Sequence, residues 1–187
     1  MVFLSLNFFK KNNMKKVLLI AVMAIGGLCS VNAQKANFGV TSGFHNFTLK
    51  ASGGGTTAST NASGFFVGFT AEFPVSEDFN IQTELHFVQT SKNGDTVEQI
   101  VLPIMGKYYI TDEFNLQAGP QIDMVISESD GLNTIGLGLG FGAGYDFSDK
   151  IFATTRYAFG VTNRIEDAPS GVSLKFDTFQ IGIGYRF

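Results

Sequence analysis

The sequence predicts an all-β fold: an eight-stranded antiparallel up-and-down transmembrane β-barrel, preceded by a cleavable signal peptide. Three observations predict it. A short apolar run is confined to the N-terminus, period-two alternation dominates the rest, and the final strand ends on an aromatic residue.

The apolar run is Val17 to Leu28, preceded by Lys15 and Lys16 and followed by Val31-Asn32-Ala33. A basic start, a short apolar stretch and a small-residue site make a secretory signal peptide, expected to be cut after Ala33. The run is too short for a membrane-spanning helix, which needs about 20 apolar residues. Met14 opens this signal naturally, so residues 1–13 read as an upstream mis-start or an extension of its basic region, and both starts stay open. The expected organisation is therefore 1–33 as extension and signal peptide, and 34–187 as barrel. Cys29 raises lipidation, but Leu28 is bulky where such sites take small residues. Cleavage removes the only Cys, which excludes disulfides, thiolate catalysis and Cys metal sites from the mature chain. It also removes four Lys, leaving nine Lys and Arg against 16 Asp and Glu, a net charge of −7. No basic nucleic-acid footprint remains, and nucleic acid is not an expected partner.

Alternation is clearest from Ile135 to Phe147, where Ile135, Leu137, Leu139, Phe141, Ala143, Tyr145 and Phe147 interleave with five glycines and Asp146. The C-terminus repeats it, with Phe179, Ile181, Ile183, Tyr185 and Phe187 on one face and Gln180, Gly182, Gly184 and Arg186 on the other. The same test gives eight strands, at 35–48, 63–73, 79–90, 97–110, 114–126, 134–147, 151–162 and 174–187. Their connections alternate in kind. Ala51 to Ala62, Ser91 to Thr96, Ser127 to Asn133 and Asn163 to Ser173 are longer and polar. Pro74 to Asp78, Thr111 to Glu113 and Ser148 to Lys150 are tight. Short periplasmic turns and longer external loops are the topology of an outer-membrane barrel, with both termini on the periplasmic side. The Gly- and Ser-rich stretch ASGGGTTASTNAS reads as a flexible loop tip.

The less apolar positions are mostly Gly, Thr, Asn and Gln, a poor coat for a soluble lipid-binding barrel but a reasonable lumen. With the apolar face turned to lipid, Phe65, Phe73, Phe79, Phe87, Tyr108, Phe114, Tyr145, Phe147, Tyr157 and Phe187 fall largely near strand ends, as interfacial girdles. The inward positions then include Glu72, Glu84, Asp123 and Asp146, with Lys107, Arg156 and Arg186 opposite in charge and His45 and His86 beside them. Buried charges must be paired, and eight strands leave a lumen just wide enough for side chains to fill. A filled, cross-paired lumen is expected, with the glycines of strand six making room for larger neighbours.

An enzyme would need a base. His86 lies toward the outer end of strand three near Ser91 and Asp95, and His45 toward the outer end of strand one, but neither sits in a nucleophile motif. Two separated His and no mature Cys make no metal cluster, so no catalytic residue, metal or cofactor is expected.

The segments FNIQTELHF (79–87), VLPIMGKYYI (101–110), LQAGPQI (116–122), GFGAGYDF (140–147), FATTRYAFGVTN (152–163) and FQIGIGYRF (179–187) resemble the PorT-like outer-membrane β-barrel family of Bacteroidota across nearly all of the mature chain. The resemblance implies fold and compartment more than activity, although some members resemble a component linked to type IX secretion. The ending, with Gln180, Gly182, Tyr185 and Phe187, also resembles the signal by which the outer-membrane barrel assembly machinery recognises its clients. An aromatic-tipped edge strand can pair with another strand before closure removes the edge. The expected partners are that machinery and outer-membrane lipid. The expected role is structural or surface-interacting, with an accessory role in secretion or envelope assembly as the alternative and the protein or surface ligand left open.

Overall fold

The computed structural model describes residues 36–92, 94–126 and 132–187. The signal peptide reading, with Cys29 and the cut after Ala33, lies outside the described residues.

Eight strands follow in chain order: β1 (Asn37–Gly53), β2 (Thr56–Pro74), β3 (Phe79–Lys92), β4 (Asp95–Tyr109), β5 (Phe114–Val125), β6 (Ile135–Asp146), β7 (Ile151–Gly160) and β8 (Ser173–Arg186). Each pairs antiparallel with its sequence neighbours, and β1 pairs with β8 from Gly39↔Arg186 to Ser52↔Ser173, so the sheet closes on itself. The Phe187 amide donates to the Phe38 carbonyl at 2.9 Å and ties down the end of the seam. Closure removes the exposed sheet edges that an open sheet would leave.

Alternation divides the side chains. Outward positions such as Phe38, Phe44, Phe69, Leu116, Leu139, Ile183 and Tyr185 are exposed, while their alternating neighbours point into the lumen and are mostly buried. An apolar belt of this kind on the outside of a closed barrel suits hydrocarbon rather than water. Phe73 continues the outward parity of β2 but is covered rather than exposed.

Three tight turns close the barrel end at which β1 starts and β8 finishes, its termini end. Val75 and Ser76 donate to the Phe79 carbonyl in the first. The other two share one device: Thr111 Oγ1 accepts from the Phe114 amide at 3.0 Å and Ser148 Oγ from the Ile151 amide at 3.1 Å. A hydroxyl at the turn's first position thus satisfies an amide that the turn would otherwise strand.

Two connections at the opposite end differ from expectation. The stretch Ala51 to Ala62 is not a loop: β1 and β2 stay in register to Gly53↔Thr56. Only Gly54 and Gly55 lie between, with φ of +58° and +80°, the left-handed pair that a two-residue hairpin needs. Ser91 to Thr96 likewise holds a hairpin paired to Lys92↔Asp95, with Asn93-Gly94 between. In the first case the period-two test failed because both faces are small and polar, so alternation carried no hydrophobic signal. Strands of 17 and 19 residues exceed the roughly 9–11 that cross a membrane, and β1–β2 extends past the apolar belt as a ribbon. Of the expected loop Asn163 to Ser173, all but Ser173, which opens β8, lies outside the strands, and Ile165 forms an isolated antiparallel bridge with Leu132. Residues 127–131 of the expected third loop, Ser127 to Asn133, lie outside the described residues.

Candidate functional site

The lumen is the chemically dense part of the barrel, and its side chains stack in three layers. At the termini end, Glu72 of β2 meets Lys107 of β4 at 2.9 Å and Arg186 of β8 at 3.2 Å, and Arg186 also meets Asp146 of β6 at 2.9 Å. The Tyr109 hydroxyl lies 3.1 Å from Glu72 and 2.9 Å from Asp146, and the Asn80 amide donates to Glu72. The Arg186 guanidinium lies over the Phe152 ring at 4.5 Å. Five strands therefore share one network, in which each carboxylate has a cation and a neutral donor.

In the middle layer Arg156 of β7 reaches across to Glu84 of β3 with both terminal nitrogens, at 2.9 and 3.2 Å, and donates to Gln117 of β5 at 2.9 Å. Bidentate pairing is the geometry that guanidinium and carboxylate favour. Glu84 also meets His86 Nε2 at 2.6 Å and accepts from Gln82. His86 Nδ1 faces the Gln180 amide at 3.2 Å, and its ring lies 4.5 Å from Phe66. His45 is Gln180's cross-strand neighbour and is fully buried, with neither ring nitrogen hydrogen-bonded among the described residues.

The third layer caps the lumen below the ribbon. Arg164, from the irregular β7–β8 connection, bonds Asp123 of β5 and donates to the carbonyls of Asn133 and Thr134 at 3.3 Å. Its guanidinium stacks 4.3 Å over Phe176, which meets Phe47 edge-on at 4.6 Å. Phe47, Val125 and Phe176, with Leu49, Ala62, Val97 and Leu174 against them, close this level with apolar bulk.

All nine expected lumen residues face inward, and one of them, Asp123, takes its cation from outside that set. Asp123 is compensated by Arg164, not by Arg156. Arg164 was missed because it lies in a polar connection, where strand parity says nothing about direction. Tyr109, a hydroxyl bridge between two carboxylates, was also missed, although its inward parity with Lys107 was readable. The bare face of β6 supplies the space: a Cβ at Gly136 would overlap the Arg164 guanidinium, and one at Gly144 would press on Asn115 and Gln117 at 2.7 Å.

The catalytic constellation weighed from sequence is not brought together around His86. Ser91 stands five residues along β3 on the opposite face, and Asp95 pairs with Lys92 at the hairpin tip. His45 is mid-strand because β1 continues to Gly53. Among the described residues no cluster of three or more His, Cys, Asp or Glu could hold a metal ion.

On β8 the terminal motif splits between faces, with Gln180 and Gly182 inward and Tyr185 and Phe187 outward and exposed. Asp177 points outward too. Its carboxylate takes the Tyr157 hydroxyl at 2.8 Å, the Gly160 amide at 2.9 Å and the Lys50 ammonium. At the termini end, Glu77, Asp78, Asn80, Tyr109, Asp112 and Asp146 line a pocket of about 350 Å³.

Comparison with known proteins agrees with this architecture. The model of the outer membrane protein beta-barrel domain family matches residues 18–187, so the chain belongs to that family and to the outer membrane. Among solved structures it is similar to Ail, the attachment invasion locus protein of Yersinia pestis, at 15% identity over 82% of this chain and 100% of that one, with a TM-score of 0.53. It is similar to Neisserial surface protein A at 17% identity over 82% and 100% (TM-score 0.48), and to OprG of Pseudomonas aeruginosa at 14% over 81% and 96% (TM-score 0.45). At these identities the likeness is one of fold. No curated protein matches the chain by sequence.

Proposed function

We propose, from membership of the outer membrane protein β-barrel family, that this chain is a non-conducting outer-membrane barrel of the PorT-like kind, exported by its signal peptide, that displays the β1–β2 ribbon at the cell surface. The observation that carries this reading is the three-layered lumen. Among the described residues its charges are spent on one another, which suits a scaffold. Function then falls to what projects from the barrel, and among the described residues the paired strands that run past the apolar belt are those of the ribbon. In this orientation the tight turns, the start of β1 and the end of β8 face the periplasm.

The test is surface labelling of a Thr57→Cys variant. A membrane-impermeant maleimide should label it on intact cells. Labelling only after the envelope is opened would overturn the reading. An accessory role in secretion or envelope assembly is favoured by a different observation, the acidic rim at the termini end. Glu77, Asp78, Asp112, Glu113 and Asp149 crowd the three turns there, with Lys150 as their one cation, and suit a basic periplasmic partner. Loss of export in a deletion strain would support that role.

A further inference from the structure

The β1–β2 ribbon carries an uncovered edge. β2 pairs with β1 along its whole length, but with β3 only from Ser63↔Ser91 onward. Thr56 to Ala62 therefore have no strand on the β3 side among the described residues. The ribbon's other side is covered, since β1 pairs with β8 out to Ser52↔Ser173. Seven extended residues present their unpaired backbone donors and acceptors in one direction, over roughly 20 Å at the rise of a strand.

Sheet edges are usually blunted by proline, charge or a bulge. None lies within the segment itself: the β1–β2 register is continuous, and Thr56 to Ala62 hold only Thr, Ser, Ala and Asn. One cation stands at the foot of the edge. Lys92, the last residue of β3, turns its ammonium onto Thr60 Oγ1.

Resting on the surface-display reading, we propose that the Thr56–Ala62 edge is a β-augmentation site for an extended acidic peptide segment. A row of alternating backbone amides and carbonyls is matched in full only by another extended backbone, so the chemistry selects a polypeptide over a sugar or a lipid. The incoming strand continues the line of β3, antiparallel to β2. Its N-terminal end then lies at Lys92, where a carboxylate is favoured and a second cation is not. A second copy of this chain is a poor occupant. Two barrels upright in one membrane bring their β2 edges together running the same way, and an uncharged Thr56–Ala62 segment offers Lys92 no carboxylate.

The test uses the folded protein in nanodiscs and a fluorescent peptide, acetyl-Asp-Thr-Val-Thr-Val-Thr-Val-amide. The peptide should bind and slow amide exchange at Thr56–Ala62, and its fully N-methylated analogue should do neither. Lys92→Glu should weaken binding about two- to fivefold, the scale of one exposed ion pair, and a peptide with Lys in place of Asp should recover that loss. Unprotected edge amides, or equal binding of the N-methylated peptide, would overturn the site. So would tighter binding to Lys92→Ala, which would make Lys92 a guard of the edge, or edge-to-edge cross-linking of two barrels without peptide. Surface labelling of Thr57→Cys involves no peptide, so failure of this site and failure of surface display are read separately.

Discussion

Arg156 and Arg164 divide the work of neutralising the lumen, and substitution should tell them apart. Arg156→Ala leaves Glu84 with His86 and Gln82 but without its guanidinium. Arg164→Ala leaves Asp123 with no cation. Breaking one partner out of a buried pair costs about 3–5 kcal/mol, because the remaining charge is stranded. Each variant should therefore unfold at clearly lower temperature in detergent, read by heat-modified gel mobility. The pairing itself is tested by a cycle. Asp123→Asn combined with Arg164→Gln should lose much less than the two single losses added, whereas Asp123→Asn combined with Arg156→Gln should be additive. Additivity in the first cycle would mean that Asp123 and Arg164 do not compensate each other. Strand parity alone placed Asp123 in the lumen. It could not name its partner, because the partner arrives from a connection without alternation.

Strands with one apolar face were legible to within a few residues, and strands without one were not. β6 and β8 announce themselves because large apolar residues alternate with glycine. The outer half of β1–β2 carries no such contrast, so its composition read as a loop. What makes it a strand is the Gly54-Gly55 turn and the cross-strand hydroxyls, such as Ser52 and Thr57 at 3.0 Å. Replacing Gly54 and Gly55 together with Ala would force two L side chains into left-handed backbone, a cost of order 1–2 kcal/mol per residue. Amide exchange should then quicken from Ala51 to Ala62 while the membrane strands keep their protection. Unchanged ribbon protection would show that the turn does not hold it.

The other element to test is β8. Tyr185 and Phe187 face outward at the closing seam, so replacing both with Ser should leave the lumen intact yet reduce folded barrel in the outer membrane, with signal-cleaved protein degraded in the periplasm. Phe176→Ala, in the same strand, removes an inward ring packed on Phe47 and Arg164, and should cost about 3–5 kcal/mol of stability with much less effect on delivery. A double Ser variant delivered at parental levels would remove the case for a terminal assembly signal.

At the scale of the whole molecule, the inward charges balance, with Glu72, Glu84, Asp123 and Asp146 against Lys107, Arg156, Arg164 and Arg186. Compartment and fold were legible because a membrane barrel must hide every backbone donor in its own sheet and turn its apolar side chains outward, and both demands leave a period of two. The layering of the lumen was not legible. It depends on strand stagger, which sets which inward residues share a level, and on an arginine outside any strand. The claim that joins these scales is that the lumen is closed by side chains bonded to one another. Planar-bilayer recording on the reconstituted protein tests it most directly. The filled lumen predicts no steady large conductance at any moderate voltage, and sustained porin-like current steps from the parental protein would contradict it.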